Sequence, residues 1–148
     1  MTEREAPSTD LTDISTRRAE IGDAVAELER ALAAPAGVGE AWTGRVVDAL
    51  RLLGELGQEQ SRAVTAPGGL VDELRSQRPA FVQRAEALNE SLDEVLAELH
   101  ELVEAVPKVE PRDAREKVLP FLGRVVRLRQ TMADLIWDAY WVDVGGPE

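Results

Sequence analysis

The chain has no cysteine and only one histidine, His100, among 148 residues. The first absence excludes a disulfide framework, a thiolate metal site and a cysteine nucleophile, and it suits a reducing compartment. The second leaves no Glu-x-x-His pair of the kind that helical di-metal proteins use, because Ala97 stands three residues before His100. Aromatic residues make up only 4% of the chain, which weighs against an all-β fold. No apolar run approaches the roughly 20 residues that a membrane span needs. The first ten residues, MTEREAPSTD, carry no apolar signal-peptide segment. A cytoplasmic protein with no membrane contact is expected. Positive charge is also short, with a formal net charge of −11. Arg124, Arg127 and Arg129 form one small cluster, which reads as a solvated helix face with ion pairs rather than a phosphate-binding surface. No nucleic-acid partner is expected.

What is present favours helix. Hydrophobic residues are 44% and charged residues 30%, with Ala, Leu, Val, Glu and Arg dominant. The length suits one domain with a real core. Residues 1–9 are polar, contain Pro7 and read as a disordered tail; residues 10–146 read as the single domain. Asp10 is the expected N-cap of a first helix starting near Leu11. Its stripe is Leu11, Ile14, Arg18, Ile21, Val25, Leu28 and Leu32, and Pro35 and Gly37 stop it. A second helix over residues 40–64 has the stripe Trp42, Val46, Ala49, Leu53, Leu56, Gln60 and Ala63. The run Thr65-Ala66-Pro67-Gly68-Gly69 breaks it, and a short helix over residues 70–78 follows.

Pro79 then opens a third long helix over residues 79–106. Its stripe is uninterrupted: Phe81, Ala85, Leu88, Leu92, Val95, Leu99, Leu102 and Val106. Pro111, Asp113 and Glu116 form a capping-box-like start for a fourth helix. Its stripe is Val118, Phe121, Val125, Leu128, Met132, Leu135, Ala139 and Val142. Pro120, helped by Gly123, is expected to kink it, and Gly145-Gly146-Pro147 ends it. Four amphipathic helices with short connections predict an all-α, up-down-up-down four-helix bundle, with the short extra helix between helices two and three.

The residues themselves offer little chemistry. His100 follows stripe residue Leu99 and so turns toward solvent. Glu86, Glu90, Glu94 and Glu98 form a carboxylate ladder with Asp93, Glu101 and Glu104 nearby. A solvated face is the favoured reading, and a divalent-cation site is the alternative. Ser61, Ser76 and Ser91 have no core histidine to activate them. Gly68-Gly69 is a linker signal, because no Lys-Ser/Thr follows. Trp137, Tyr140 and Trp141 crowd the end of helix four. Packing at the end of the fold is favoured there over a partner or self-association surface. Arg18 and Gln60 are polar members of apolar stripes. They read either as a hydrogen-bonded inward pair or as an arginine reaching the edge and a glutamine facing solvent.

The segment RVVRLRQTMADLIWDAYWVDVGG, residues 124–146, resembles the last helix and tail of bacterial hemerythrin-like (HHE cation-binding) proteins. RRAEIGDAVAELERAL is similar to the family's first ligand helix, QSRAVTAPGGLVDEL to its second ligand stretch and linker, and RAEALNESLDEVLAEL to its third ligand helix. The resemblance implies a four-helix bundle with metal-binding histidines. It places Arg18, Gln60, Ser91 and Leu128 at the histidine positions, with Glu90 one residue from the third, and Thr65 at a carboxylate position. None of Arg18, Gln60, Ser91, Leu128 and Thr65 is a good ligand for iron or zinc, and Arg18 repels a cation. The resemblance therefore implies a degenerate metal site and a non-enzymatic interaction or regulatory protein, acting with a protein partner or as a homodimer. No cofactor is expected. The alternative is a metal-, O2- or NO-binding protein that holds iron through helix-three carboxylates.

Overall fold

The structure is a computed structural model that describes residues 9–37 and 40–141; within the first helix it describes side chains from Thr16 onward. Every regular element among the described residues is helical. Helix α1 spans Thr9–Ala33 and α2 spans Glu40–Thr65. The short α3 is Leu70–Gln77, α4 is Val82–Ala105 and α5 is Pro111–Tyr140. Single turns of 3-10 helix, Pro79–Phe81 and Val106–Lys108, precede and follow α4. Proline accounts for both: it lacks the N–H that would continue an α-helix, and its fixed φ suits a first turn.

Two expected starts shift. The first helix begins at Thr9, so Asp10 falls inside it rather than capping it. In α5 the residue at the N-cap is Glu110, with Pro111 following it, and no side chain caps the helix. Asp113 sits inside the first turn instead, where its negative charge faces the positive end of the helix dipole. Pro120 lies within α5 without interrupting it. Of the tail over residues 1–9, only Thr9 lies among the described residues. Val142 and the Gly145-Gly146-Pro147 stop lie outside them.

Packing follows chain order around the core. Helix α1 lies on α2, α2 on α4 and α4 on α5, while α5 and α1 meet over a much smaller contact. This arrangement is consistent with a helical bundle. The contact of α2 with α4 is close because Gly54 and Gly57 lack side chains. A Cβ on either would lie 2.9 Å or 2.8 Å from a methyl carbon of Leu99 or Leu96. The turn before α3 depends on glycine too. Gly68 has φ of +79°, the left-handed region that favours glycine. At Gly69 an added Cβ would stand 2.3 Å from the carbonyl oxygen of Ala63.

Arg115, near the start of α5, ties down the end of α1. Its Nε donates to the carbonyl of Leu32 and a terminal nitrogen donates to that of Ala34, both at 2.8 Å. These carbonyls belong to the helix end that lacks intrahelical partners. The same guanidinium lies 4.8 Å from the ring centroid of buried Trp42. At the far end of α5, Arg78 donates to the carbonyl of Ala139 at 2.8 Å.

The apolar core is divided into two clusters. One is built around Leu28, Val46, Leu50, Val118 and Phe121. The other holds Val64, Leu70, Leu74, Ala85, Met132 and Leu135. Leu28, Leu50, Phe121 and Leu135 are fully buried.

Candidate functional site

A cavity of about 50 Å³ lies where the two clusters meet. Ile21, Leu53, Leu99, Phe121 and Val125 of the first cluster line it, as do Leu88 and Met132 of the second. Among these apolar walls stand four polar side chains, one from each long helix: Arg18 from α1, Gln60 from α2, Asn89 from α4 and Arg129 from α5. Each has a buried atom without a hydrogen-bond partner: Nε of both arginines, Oε1 of Gln60 and Oδ1 of Asn89. Gln60 is only 3% exposed. Arg18, Asn89 and Arg129 are partly buried. No described residue lining the cavity is acidic. Arg129 reaches across to α1 at Gly22, where an added Cβ would stand 2.7 Å from one of its terminal nitrogens.

Three of the five positions singled out by the resemblance converge here: Arg18, Gln60 and Leu128 all line the cavity. The other two do not. Thr65 is exposed, and its hydroxyl donates to the carbonyl of Ser61 at 3.0 Å. Ser91 is exposed, as is its neighbour Glu90. The residue of α4 that reaches the cavity is Asn89. The expected alternatives for Arg18 and Gln60 are both corrected. Gln60 faces inward, yet its Oε1 and the Nε of Arg18 each lack a partner, so the two do not form that bond.

Arg129 corrects the reading of the basic cluster. Of its three members, Arg124 pairs with Glu98, its Nε donating at 2.9 Å, whereas Arg129 turns into the core. The pairing raises the Arg124 pKa further, chiefly through the hydrogen bond to Glu98. A signal for Arg129 was present in the spacing. Leu122, Val125, Arg129, Met132 and Ile136 alternate three and four apart, and all but Arg129 are buried. The apolar face of α5 is two residues wide, and the stripe through Leu128 traces only one edge of it. The series Ala85, Asn89, Leu92, Leu96, Leu99 marks Asn89 in the same way.

The donor set does not suit a transition metal. Iron and zinc take imidazole, carboxylate or thiolate, and no side chain lining this cavity carries one. Elsewhere, no group of three or more His, Asp or Glu able to hold a metal occurs among the described residues. On the α4 ladder, Glu86 lies 3.6 Å from Arg75, and Glu98 pairs with Arg124. His100 is exposed, and its Nδ1 lies 2.8 Å from the carbonyl of Leu96.

The aromatic cluster also departs from expectation. Trp137 is 59% exposed and Trp141 53%, so neither is buried in the core. Trp137 lies on the last turn of α5, and Trp141 follows the helix as its C-cap. Tyr140 alone turns inward, and its hydroxyl donates to a carboxylate oxygen of Glu73 at 3.2 Å.

No protein-family model, no curated protein and no solved structure compared with the chain matches it.

Proposed function

We propose that the chain is a hemerythrin-like, up-down-up-down four-helix bundle that has lost its di-metal site and works without catalysis, as an interaction or regulatory protein of the bacterial cytoplasm. One observation carries the reading. Positions that the resemblance assigns to metal ligands on three different helices, Arg18, Gln60 and Leu128, meet at one cavity in the middle of the core. A metal site occupies that place in the resembled family, and here the ligating chemistry is replaced by cations, amides and a leucine. The neighbouring-helix contacts in chain order support the bundle topology. The exposed Trp137 and Trp141 supply the contact surface for a protein partner or a second copy, since large aromatic side chains are the residues that most often anchor such interfaces.

The test is metal content. Protein purified from medium supplemented with iron, manganese and zinc is expected to carry none of them stoichiometrically. Its melting temperature is expected to be unchanged by a chelator, because only a bound structural metal adds stability that a chelator removes. One tightly held transition metal per chain, with a chelator-sensitive melting temperature, would overturn the reading in favour of carboxylate ligands.

A further inference from the structure

We propose that the outer face of α5 is the surface on which two copies of this chain dimerise, helix against helix and antiparallel. The proposal rests on the reading of the chain as an interaction bundle, and it commits that reading to one partner, a second copy. Leu119, Gly123, Val126, Gln130, Ala133 and Trp137 follow one another at alternating gaps of four and three, the spacing of a helix face that meets another helix. The core takes the other side of α5, through Phe121, Val125, Met132 and Leu135. On the outer stripe Leu119 is 56% exposed, Val126 45% and Trp137 59%. With Trp141 at the C-cap, four of the five exposed large apolar side chains among the described residues belong to this helix. No other element covers Gly123. An added Cβ there would meet only a terminal nitrogen of Arg127, 3.7 Å away on the next turn of the same helix.

Charge selects the occupant. The chain carries a net charge of −11, so two copies repel each other over most of their surface. Helix α5 is the exception. It holds six Lys and Arg against four Asp and Glu, whereas α4 holds one Arg against seven carboxylates. Repulsion is therefore weakest where α5 meets α5. An antiparallel pair has two-fold symmetry, so every contact occurs twice. Setting Gly123 against Ala133 of the second copy lets the two backbones approach. The same register puts Leu119 against Trp137 of the second copy, and Val126 against its Gln130. Gln130 already donates to Asp134 at 2.9 Å, so its amide nitrogen enters the contact with a partner. Side chains on a helix lean toward its N-terminus, so in this register Arg127 leans toward Asp134 of the second copy. Both residues are exposed and free to meet.

The experiment is sedimentation equilibrium of the full chain from about 1 to about 200 μM, the range of weak to moderate association. The unmodified chain is expected to reach the dimer mass within this range. Its tryptophan emission is expected to move to shorter wavelength over the same concentrations, as Trp137 leaves water. Val126→Glu is expected to weaken dimerisation at least about tenfold with helical circular dichroism unchanged, because it puts a charge into the apolar stripe at an exposed position. Arg127→Asp and Asp134→Arg are each expected to weaken it at least about threefold, and the two together to restore it, since the exchange re-forms both ion pairs. A monomer throughout the range overturns the proposal. So does a dimer that Val126→Glu leaves intact, or one that the exchanged charges fail to restore. Metal analysis of the same sample separates the two readings. A metal-free monomer defeats the second copy as partner alone, whereas a stoichiometric metal defeats the reading on which the proposal rests.

Discussion

Tyr140 is the chain's only tyrosine, so its ionisation can be followed without interference. Burial pushes its phenol pKa well above the ordinary value of 10.0, and the charge of Glu73 and the hydrogen bond to it push the same way. The folded state therefore holds the phenolic proton more tightly than the unfolded state does. This contribution to stability is fully present below about pH 10 and is lost as pH rises from there toward the folded value. Tyrosinate absorbance is expected to stay flat through pH 10 and to rise only as the fold opens; a midpoint near 10 with intact helical circular dichroism would contradict this. Leu135 is expected from its spacing to face the core, and it is fully buried in the second cluster. Leu135→Ala is expected to cost about 2–5 kcal/mol, measured by urea unfolding. A loss below about 1 kcal/mol would mean that the surrounding helices close over the gap.

At the scale of elements, the helix limits were legible because prolines and glycines mark them chemically. Pro35 and Gly37 follow α1, the run from Thr65 to Gly69 ends α2, and Pro79 and Pro111 open new turns. Periodicity also located one edge of each buried face: Val46, Leu53, Leu88, Leu99, Val118 and Phe121 are all buried as their spacing predicts. Periodicity says nothing about how wide the face is or which helix lies opposite. That is why the spacing of the stripes leaves Arg129 on the surface and does not single out Asn89, on the other edge, and why the resemblance points to Ser91, two residues from the position that reaches the cavity. The tryptophans failed for a related reason. Their positions at the end of α5 are buried only if some other segment covers them, and Trp137 and Trp141 remain more than half exposed. The α2–α3 turn was legible as a break, but the reason for its second glycine is spatial. The backbone of Ala63 fills the space where a side chain would begin. Gly69→Ala is expected to cost about 1–3 kcal/mol in thermal or urea melts, because a carbonyl rather than a flexible side chain has to move. A substitution without effect would show that this turn shifts freely.

For the whole molecule, the layer formed by Arg18, Gln60, Asn89 and Arg129 crosses all four long helices between two apolar clusters. Cooperative folding depends on contacts that make every part lose stability together, and such a layer is a weak link between its two sides. The protein is thus expected to open as two units under native conditions. Amide hydrogen exchange should report one free energy for the backbone around Val46, Leu50 and Phe121 and a different one around Leu74, Met132 and Leu135. Filling the layer by Gln60→Leu should draw the two values together. A single shared value in the unmodified chain would contradict this. A polar centre in a small helical protein then does more than divide its core: it determines whether a partner that grips one end of the molecule is felt at the other.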